Sequence, residues 1–149
     1  MKIITWNVER LQKNKNEEIK AKLLEFDAEI IILTETSSIL NLGNIYNSIS
    51  TEPLTENYDG VNYKKDENRV SIWTKYSLTN RYKTFDSFTS ICSEIVTEYG
   101  LLRVYGTIIG IFGGIGKRFE TDLTLQIKDF KDFDINNAKI WVIIGQIRR

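Results

Sequence analysis

Histidine is absent from this sequence of 149 residues. Histidine is the usual general base near neutral pH and the commonest zinc ligand in proteins. Its absence excludes catalytic triads and dyads that use histidine, together with typical histidine-containing zinc sites. Acid–base chemistry in this chain therefore depends on carboxylates, lysine, tyrosine or metal-bound water.

Cysteine, surplus charge and long apolar runs are also scarce. The single cysteine, Cys92, cannot form an internal disulfide, and its strand-like surroundings favour a buried thiol over a nucleophile. Twenty basic residues balance twenty acidic ones, so no global positive field attracts nucleic acid, although a local patch can still form. No apolar run reaches membrane-spanning length and no signal peptide is recognisable, which predicts a soluble cytoplasmic protein.

The remaining composition is that of a globular domain. Hydrophobic residues make up 42% of the chain and aromatic residues 11%, which is enough to form a normal core. We find no repeat, low-complexity tract or interdomain linker. A single domain over residues 1–149 is expected.

The chain alternates strand-like and helix-like segments. Strands are predicted at residues 2–7, 28–34, 69–75, 87–98, 101–111 and 139–144, with loops and room for an edge strand between 36 and 68. Amphipathic helices are predicted at Glu17–Phe26, with Asn16 as N-cap, and at 117–133. The apolar residues of the second helix are expected to face a sheet: Phe119, Leu123, Ile127, Phe130 and Phe133. This order predicts an α/β fold in which helices cover one face of a mixed sheet.

Two polar residues stand where predicted strands end. Asn7 follows KIITW, and Glu35 follows the apolar run IIILT. In open α/β sheets, ligands bind beyond the carboxyl ends of the strands, so a strand-end carboxylate suits a metal site. From position alone, a cap or turn role for each residue is equally open.

The ordered motifs of the chain resemble those of the endonuclease/exonuclease/phosphatase family, the fold of DNase I-like and apurinic endonuclease-like enzymes. IITWNV and IIILTET resemble its first two motifs, and NRVSIWTKYSL and LRVYGTIIGI resemble later core strands. FETDLTLQIKDF is similar to the helix before the metal-site strand, and KIWVIIG to that strand. The resemblance covers essentially the whole chain, as the first part of a longer domain.

The resemblance implies a fold, an activity and a site. The implied fold is an α/β/β/α four-layer sandwich, incomplete here, and the implied activity is Mg²⁺- or Mn²⁺-dependent phosphoester hydrolysis, with a nuclease as the expected complete form. Glu35 matches the metal-ligating carboxylate, and Asn7 matches the asparagine at the metal and phosphate site. Mg²⁺ is typically held by one or two carboxylates, so a single glutamate is a legitimate anchor.

The chain departs from the family pattern near its end. The family strand reads into Gly-Asp-x-Asn, whereas this chain has Gly145-Gln146-Ile147-Arg148. Gln146 is a neutral amide that cannot replace a carboxylate as a base, and Ile108 occupies a position where many members have His or Tyr. The later family strands are missing too, which predicts a domain truncated by a frameshift, a split gene or an artificial cut. Impaired or absent hydrolysis is expected from the chain alone.

Two other interpretations remain open at this stage. A degenerate member of the family could bind nucleic acid or protein without hydrolysing it. A sandwich without its later strands would also expose apolar surface and an unpaired edge, which favours self-association or completion by another chain.

Overall fold

A computed structural model describes residues 1–11, 15–54, 57–58, 61–109, 117–134 and 140–147. The strands are β1 Ile3–Asn7, β2 Ile30–Ser37, β3 Asn47–Ser50, β4 Asn57–Tyr58, β5 Val61–Asn62, β6 Glu67–Thr74, β7 Ser77–Tyr82, β8 Ser90–Thr97, β9 Gly100–Ile109 and β10 Ile140–Ile147. The helices are α1 Asn16–Phe26 and α2 Lys117–Asp134, and a short 3-10 turn spans Glu9–Leu11. Neither helix of these ranges combines the length and apolar character needed to cross a bilayer.

Eight of these strands form two four-stranded sheets. The first has the order β1-β2-β6-β3, in which β1 and β2 are parallel and β6 is antiparallel to both β2 and β3. The second has the order β10-β9-β8-β7. Within the described part of this sheet, β9 and β10 are parallel and the other neighbouring pairs are antiparallel. Strands β4 and β5 form a separate small hairpin.

The two sheets pack face to face around an apolar core. Ile32 and Ile72 of the first sheet contact the same cluster as Ile91 and Val104 of the second. Because side chains alternate between the faces of a strand, the neighbouring residues point to the outer faces. Those outer faces are where the two helices pack.

Each helix covers one outer face. Ile19 and Leu23 of α1 pack with Ile31 and Leu33 of the first sheet. On the second sheet, Cys92 and Tyr105 pack with Phe133 of α2. The layers are therefore helix, sheet, sheet and helix, which confirms the sandwich implied by the family resemblance and corrects the pattern-based expectation of helices on one face only.

Most element boundaries agree with the sequence predictions to within about two residues. Two strands differ by more, because β10 continues to Ile147 instead of ending at 144, and β8 begins at Ser90 instead of 87. There are three other differences. The N-cap of α1 is Lys15, without a side-chain hydrogen bond, so Asn16 is the first helical residue rather than the cap. Strand β2 continues through Glu35 to Ser37 instead of ending at Thr34. Strand β7 lies in a segment for which no strand was predicted.

The face of α2 is the main correction. Phe133 is buried and Phe130 is partly buried as expected, but Leu123 and Ile127 are 37% and 43% exposed. The buried side chains are instead polar: Asp122, Gln126 and Asp129. Hydroxyl groups on the outer face of β9 explain this, because Gln126 Nε2 donates to Thr107 Oγ1 at 2.9 Å and Tyr105 donates to Asp129 at 2.9 Å. The side chain of Phe119 lies outside the described residues.

Cys92 is fully buried, as predicted for an inert thiol. Burial raises its pKa from 9.0 to about 12. A thiol with this pKa contains almost no nucleophilic thiolate near neutral pH.

Candidate functional site

Strands β1 and β2 bring the two predicted site residues to the same edge of the first sheet. The strands are parallel, and Asn7 stands opposite Thr34 in their register. The register continues one residue further, where the Val8 N–H donates to the Thr34 carbonyl oxygen at 3.0 Å. Glu35 is the next residue along β2, so both polar residues lie at the carboxyl ends of neighbouring strands.

Asn7 is held by a local hydrogen bond. Its Oδ1 accepts from the backbone N–H of Glu9 at 2.8 Å, and the side chain is partly buried. An amide oxygen is an acceptor with two lone pairs, and the Nδ2 group is a donor of the kind that phosphate oxygens accept. The residue can therefore serve either a cation or an anion.

Glu35 has an unusual backbone conformation. Its φ is +52°, in the left-handed region, although it lies within a strand. Register pairs with β6 are intact on both sides, from Thr34 opposite Val70 to Thr36 opposite Asn68. Such a conformation in a non-glycine residue costs on the order of 1 kcal/mol or more and is typical of functional sites. The side chain is only 3% exposed, which places a carboxylate in a largely water-excluded position.

A group of charged and aromatic residues borders this end of β2, and sequence reasoning did not identify it. The guanidinium carbon of Arg10 lies 4.5 Å from the ring centroid of Tyr63, and that of Arg69 lies 5.1 Å from the same centroid. Arg10 Nη1 is also 3.9 Å from Glu67 Oε2. Arg10 comes from the turn after β1 and the other three from residues 63–69, so no spacing in the sequence links Arg10 to them.

An open cleft adjoins Asn7 on the side of α1. Its volume is about 620 Å³, and its lining includes Trp6, Asn7 and Glu9 from the end of β1 and Glu18 and Lys22 from α1. The cleft extends along α1 rather than towards Glu35. It is wide enough to admit a ligand to the Asn7 side of the strand ends.

The oxygen donors of Glu35 and Asn7 fit an ion such as Mg²⁺, which does not need a site built entirely from protein ligands. Among the described residues, no group of three or more His, Cys, Asp or Glu side chains is placed to hold a metal. Mg²⁺ keeps several waters and takes oxygen ligands from one or two carboxylates and from the substrate. A buried carboxylate at Glu35 and an amide oxygen at Asn7 satisfy that requirement.

Strand β10 carries the residue that departs from the family pattern. In the parallel register with β9, Gln146 stands opposite Ile108. Ile108 is buried in the core between the two sheets, so its side chain contributes to packing. The side chain of Gln146 and the whole of Arg148 lie outside the described residues.

Comparison with known proteins matches this chain to solved structures that share one fold. No protein-family model matches the sequence, and no curated protein matches it. Among solved structures, TDP2 from D. rerio, complexed with a single-strand DNA product, matches all of this chain with a TM-score of 0.69 and 10% identity. The 3′ phosphatase NExo from Neisseria, bound to a product DNA hairpin, matches 97% of this chain with a TM-score of 0.63 and 15% identity.

A third similar structure carries the family's name. It is an endonuclease/exonuclease/phosphatase from Beutenbergia cavernae DSM 12333, which matches 89% of this chain with a TM-score of 0.61 and 11% identity. This chain spans 62%, 56% and 43% of the lengths of the three proteins, in the order given. At these identities the likeness concerns the fold, and the fold of this chain is that of the endonuclease/exonuclease/phosphatase, or DNase I-like, proteins.

Proposed function

We propose that this chain carries a metal-dependent phosphoesterase site, in which Glu35 holds Mg²⁺ or Mn²⁺ and Asn7 contacts the ion and the phosphate. One observation supports this most strongly. A buried carboxylate with a left-handed backbone lies at the carboxyl end of β2, beside the end of β1 that carries Asn7. Strand ends of this kind are where α/β sheets bind ligands.

Each residue has a role that follows from its chemistry. When bound, the divalent ion polarises a phosphoryl oxygen and stabilises developing negative charge. Glu35 supplies the negative charge that anchors the ion, and its burial strengthens that attraction because the surrounding dielectric is low. Asn7 orients the phosphate through its amide, whose direction is fixed by the hydrogen bond from Glu9.

Because Gln146 stands where the resembling family has an aspartate, we expect hydrolysis by this chain to be slow or absent. A neutral amide cannot accept a proton from an attacking water near neutral pH. A positioned base contributes about 10²–10⁴-fold to the rate of such a reaction. The residues described here bind and orient a phosphoester, whereas activation of water requires a group that Gln146 does not provide.

The proposed substrate class is nucleic acid. Two of the similar structures contain DNA products, a single strand in one and a hairpin in the other. Those molecules belong to proteins that are 10% and 15% identical to this chain, so they support the proposal through the shared fold. A phosphodiester backbone also offers the phosphate oxygens that the Asn7 and Glu35 site is suited to bind.

Metal binding is the first test. The metal-free protein, prepared with EDTA, is titrated with Mn²⁺ and followed by calorimetry and by the loss of free-ion paramagnetic resonance. We expect saturable binding in the native chain, no such binding in Glu35→Gln, and native binding in Glu120→Gln, which removes an exposed carboxylate from α2. Equal binding by the native chain and by Glu35→Gln would contradict the proposed site.

Hydrolysis is measured separately on fluorescently labelled single-stranded and abasic duplex DNA with Mg²⁺ or Mn²⁺. We expect at most slow cleavage, abolished by Glu35→Gln and by EDTA. Fast cleavage that depends on Glu35 would support the reaction class and contradict the predicted impairment. DNA binding without any metal-dependent cleavage would favour the noncatalytic binding module instead.

A further inference from the structure

The side chain of Arg10 links the turn after β1 to residues on the β6 side of the first sheet. Arg10 follows β1 in the chain, yet its guanidinium contacts Glu67 and Tyr63, at and just before the start of β6. In the sheet, β2 lies between β1 and β6. Neighbouring strands are about 4.8 Å apart, so a contact from the β1 side to the β6 side spans about 10 Å. The 3-10 turn that carries Arg10 also contacts β2, so the guanidinium lies near the end of the strand between the two.

This location places the guanidinium beside the proposed site. Glu67 stands opposite Ser37 in the register, and Glu35 lies two residues earlier on β2. Asn7 is tied to the turn that carries Arg10, because Asn7 Oδ1 accepts from the N–H of Glu9. The cation therefore lies at the same sheet edge as both site residues.

Arg10 is held in place before any ligand binds. Its backbone is left-handed, with φ +60°, and its guanidinium carbon lies 4.5 Å from the ring centroid of Tyr63. Tyr63 is 6% exposed and also packs against the guanidinium of Arg69, so the ring is a fixed platform. Preorganisation of this kind lowers the entropic cost of binding an anion.

The Arg10 guanidinium retains capacity for an anion. Its 3.9 Å separation from Glu67 is longer than a hydrogen bond, so this ion pair does not occupy the N–H donors of the guanidinium with hydrogen bonds. The side chain is 24% exposed, and the exposed lysines Lys64 and Lys65 add positive charge to the same connection before β6. A guanidinium presents five donors in a planar fork that matches two phosphate oxygens.

We propose that Arg10 is a phosphate-contacting residue of this site, which binds the nucleic-acid backbone at or next to the phosphate on Asn7 and Glu35. Tyr63 and Glu67 are positioning residues that hold the guanidinium near the end of β2. This inference rests on the proposed function for its substrate class, but the contact is ionic and does not require the metal. It can therefore be tested with the metal removed.

The test measures DNA binding by fluorescence anisotropy in EDTA, with the full chain and a labelled single-stranded oligonucleotide over a series of KCl concentrations. Loss of one phosphate contact lowers the slope of log Kd against log salt by about 0.7 for single strands. We expect Arg10→Ala to show that decrease and about fivefold or more weaker binding at low salt. Arg10→Lys should keep most of the slope with intermediate affinity, since it keeps the charge but loses the fork.

A matched control distinguishes a specific phosphate contact from an effect of net charge or of folding stability. Lys128→Ala removes one positive charge from the exposed side of α2 and should leave the slope unchanged. Thermal unfolding of each variant is recorded in the same buffer. A lower unfolding temperature for Arg10→Ala with native Kd and slope would overturn the proposal and show that Arg10 has a purely structural role. Absence of DNA binding by the native chain in low salt would also overturn it. Failure of Mn²⁺ binding at Glu35, by contrast, would remove the metal site while leaving a salt-dependent Arg10 contact intact.

Discussion

Arg103 and Glu94 form a buried ion pair between neighbouring strands of the second sheet. They are register partners on β9 and β8, their side chains are 1% and 4% exposed, and Arg103 Nη2 lies 2.5 Å from Glu94 Oε1. Tyr82 donates to the same carboxylate from β7, and Arg103 donates to the Phe133 carbonyl oxygen near the end of α2. A cation at the carboxyl end of a helix is favoured by the helix dipole. This one pair therefore links three strands to the covering helix.

Replacing Glu94 by Gln should destabilise the fold strongly. The variant keeps the shape of the side chain but leaves the Arg103 cation buried without its partner, which costs about 3–5 kcal/mol of unfolding free energy. Urea unfolding at about pH 7 and moderate salt measures the loss. Glu98→Gln, an exposed carboxylate in the turn of the same hairpin, should change stability by less than about 0.5 kcal/mol.

The cost of Glu94→Gln should also depend on pH. Burial by itself would raise the pKa of Glu94, but hydrogen bonds from Tyr82, Arg103 and Asn80 hold it below its ordinary value of 4.5. A lowered folded-state pKa gives stability that is present above the unfolded pKa and is lost as pH falls through the folded one. The difference between the native chain and the variant should therefore shrink below pH 4.5. A difference that stays constant down to acid unfolding would contradict this electrostatic account.

The stability contribution of Asp129 should depend on pH in the opposite direction from that of Glu94. Burial raises its pKa above the ordinary value of 3.8, although the Phe85 N–H and the Tyr105 hydroxyl both donate to Oδ2. The raised pKa means that ionisation costs stability, so the contribution of Asp129 is greatest below 3.8 and declines as pH rises through the folded value. Asp129→Asn keeps an acceptor oxygen without the charge. Its stability relative to the native chain should therefore increase as pH rises from about 4 to about 7.

Asp129→Ala is the matched comparison for Asp129→Asn. It removes the acceptor and leaves the Phe85 N–H and the Tyr105 hydroxyl without it, at a cost of about 1–3 kcal/mol. Denaturant midpoints of both variants across the same pH series distinguish the two effects. Equal stability of the two variants at every pH would show that the acceptor oxygen of this side chain contributes nothing.

The positions of Asn7 and Glu35 at one end of neighbouring strands could be predicted from the sequence because their signal is local. Asn7 and Glu35 each come directly after a short apolar run, whereas the packing of two sheets was implied by the family resemblance and not by alternation and strand order. The left-handed backbone of Glu35 and the position of Arg10 near the end of β2 depend on contacts with β6, which lies more than 30 residues further along the chain. Strand β7 escaped prediction since it is an edge strand with mostly exposed, polar residues. The face of α2 was mispredicted because hydroxyl groups on β9 select polar partners, and periodicity alone cannot reveal them.

Gly106 lies at a close contact between the two sheets. A Cβ atom built at this position would lie 2.7 Å from Val70 Cγ1 and 3.4 Å from Ile32 Cγ2, both in the first sheet. Gly106→Ala should therefore destabilise the fold by about 1–3 kcal/mol through overpacking. Val70→Ala alone should also destabilise it, because it leaves a cavity.

The double variant Gly106→Ala with Val70→Ala tests the contact directly. If the two methyl groups collide, removing one relieves the other, and the combined loss should be smaller than the sum of the single losses by about 0.5 kcal/mol or more. Chemical denaturation of all four proteins closes the cycle. Strict additivity would show that the sheets separate or shift to accept the extra methyl group.

Gln146→Asp should restore part of the missing chemistry. Gln146 follows Gly145 on β10 and stands opposite Ile108 in the register with β9. The substitution returns a carboxylate to the position where the resembling family has one, and such a group can accept a proton from water or help hold the ion. We expect metal-dependent cleavage of labelled DNA to rise at least about tenfold above the native chain, with Gln146→Asn as the uncharged control. If Glu35 holds the ion as proposed, the increase should disappear in Gln146→Asp combined with Glu35→Gln. Equal rates for Gln146→Asp and Gln146→Asn would show that the lost activity lies in other groups than this amide.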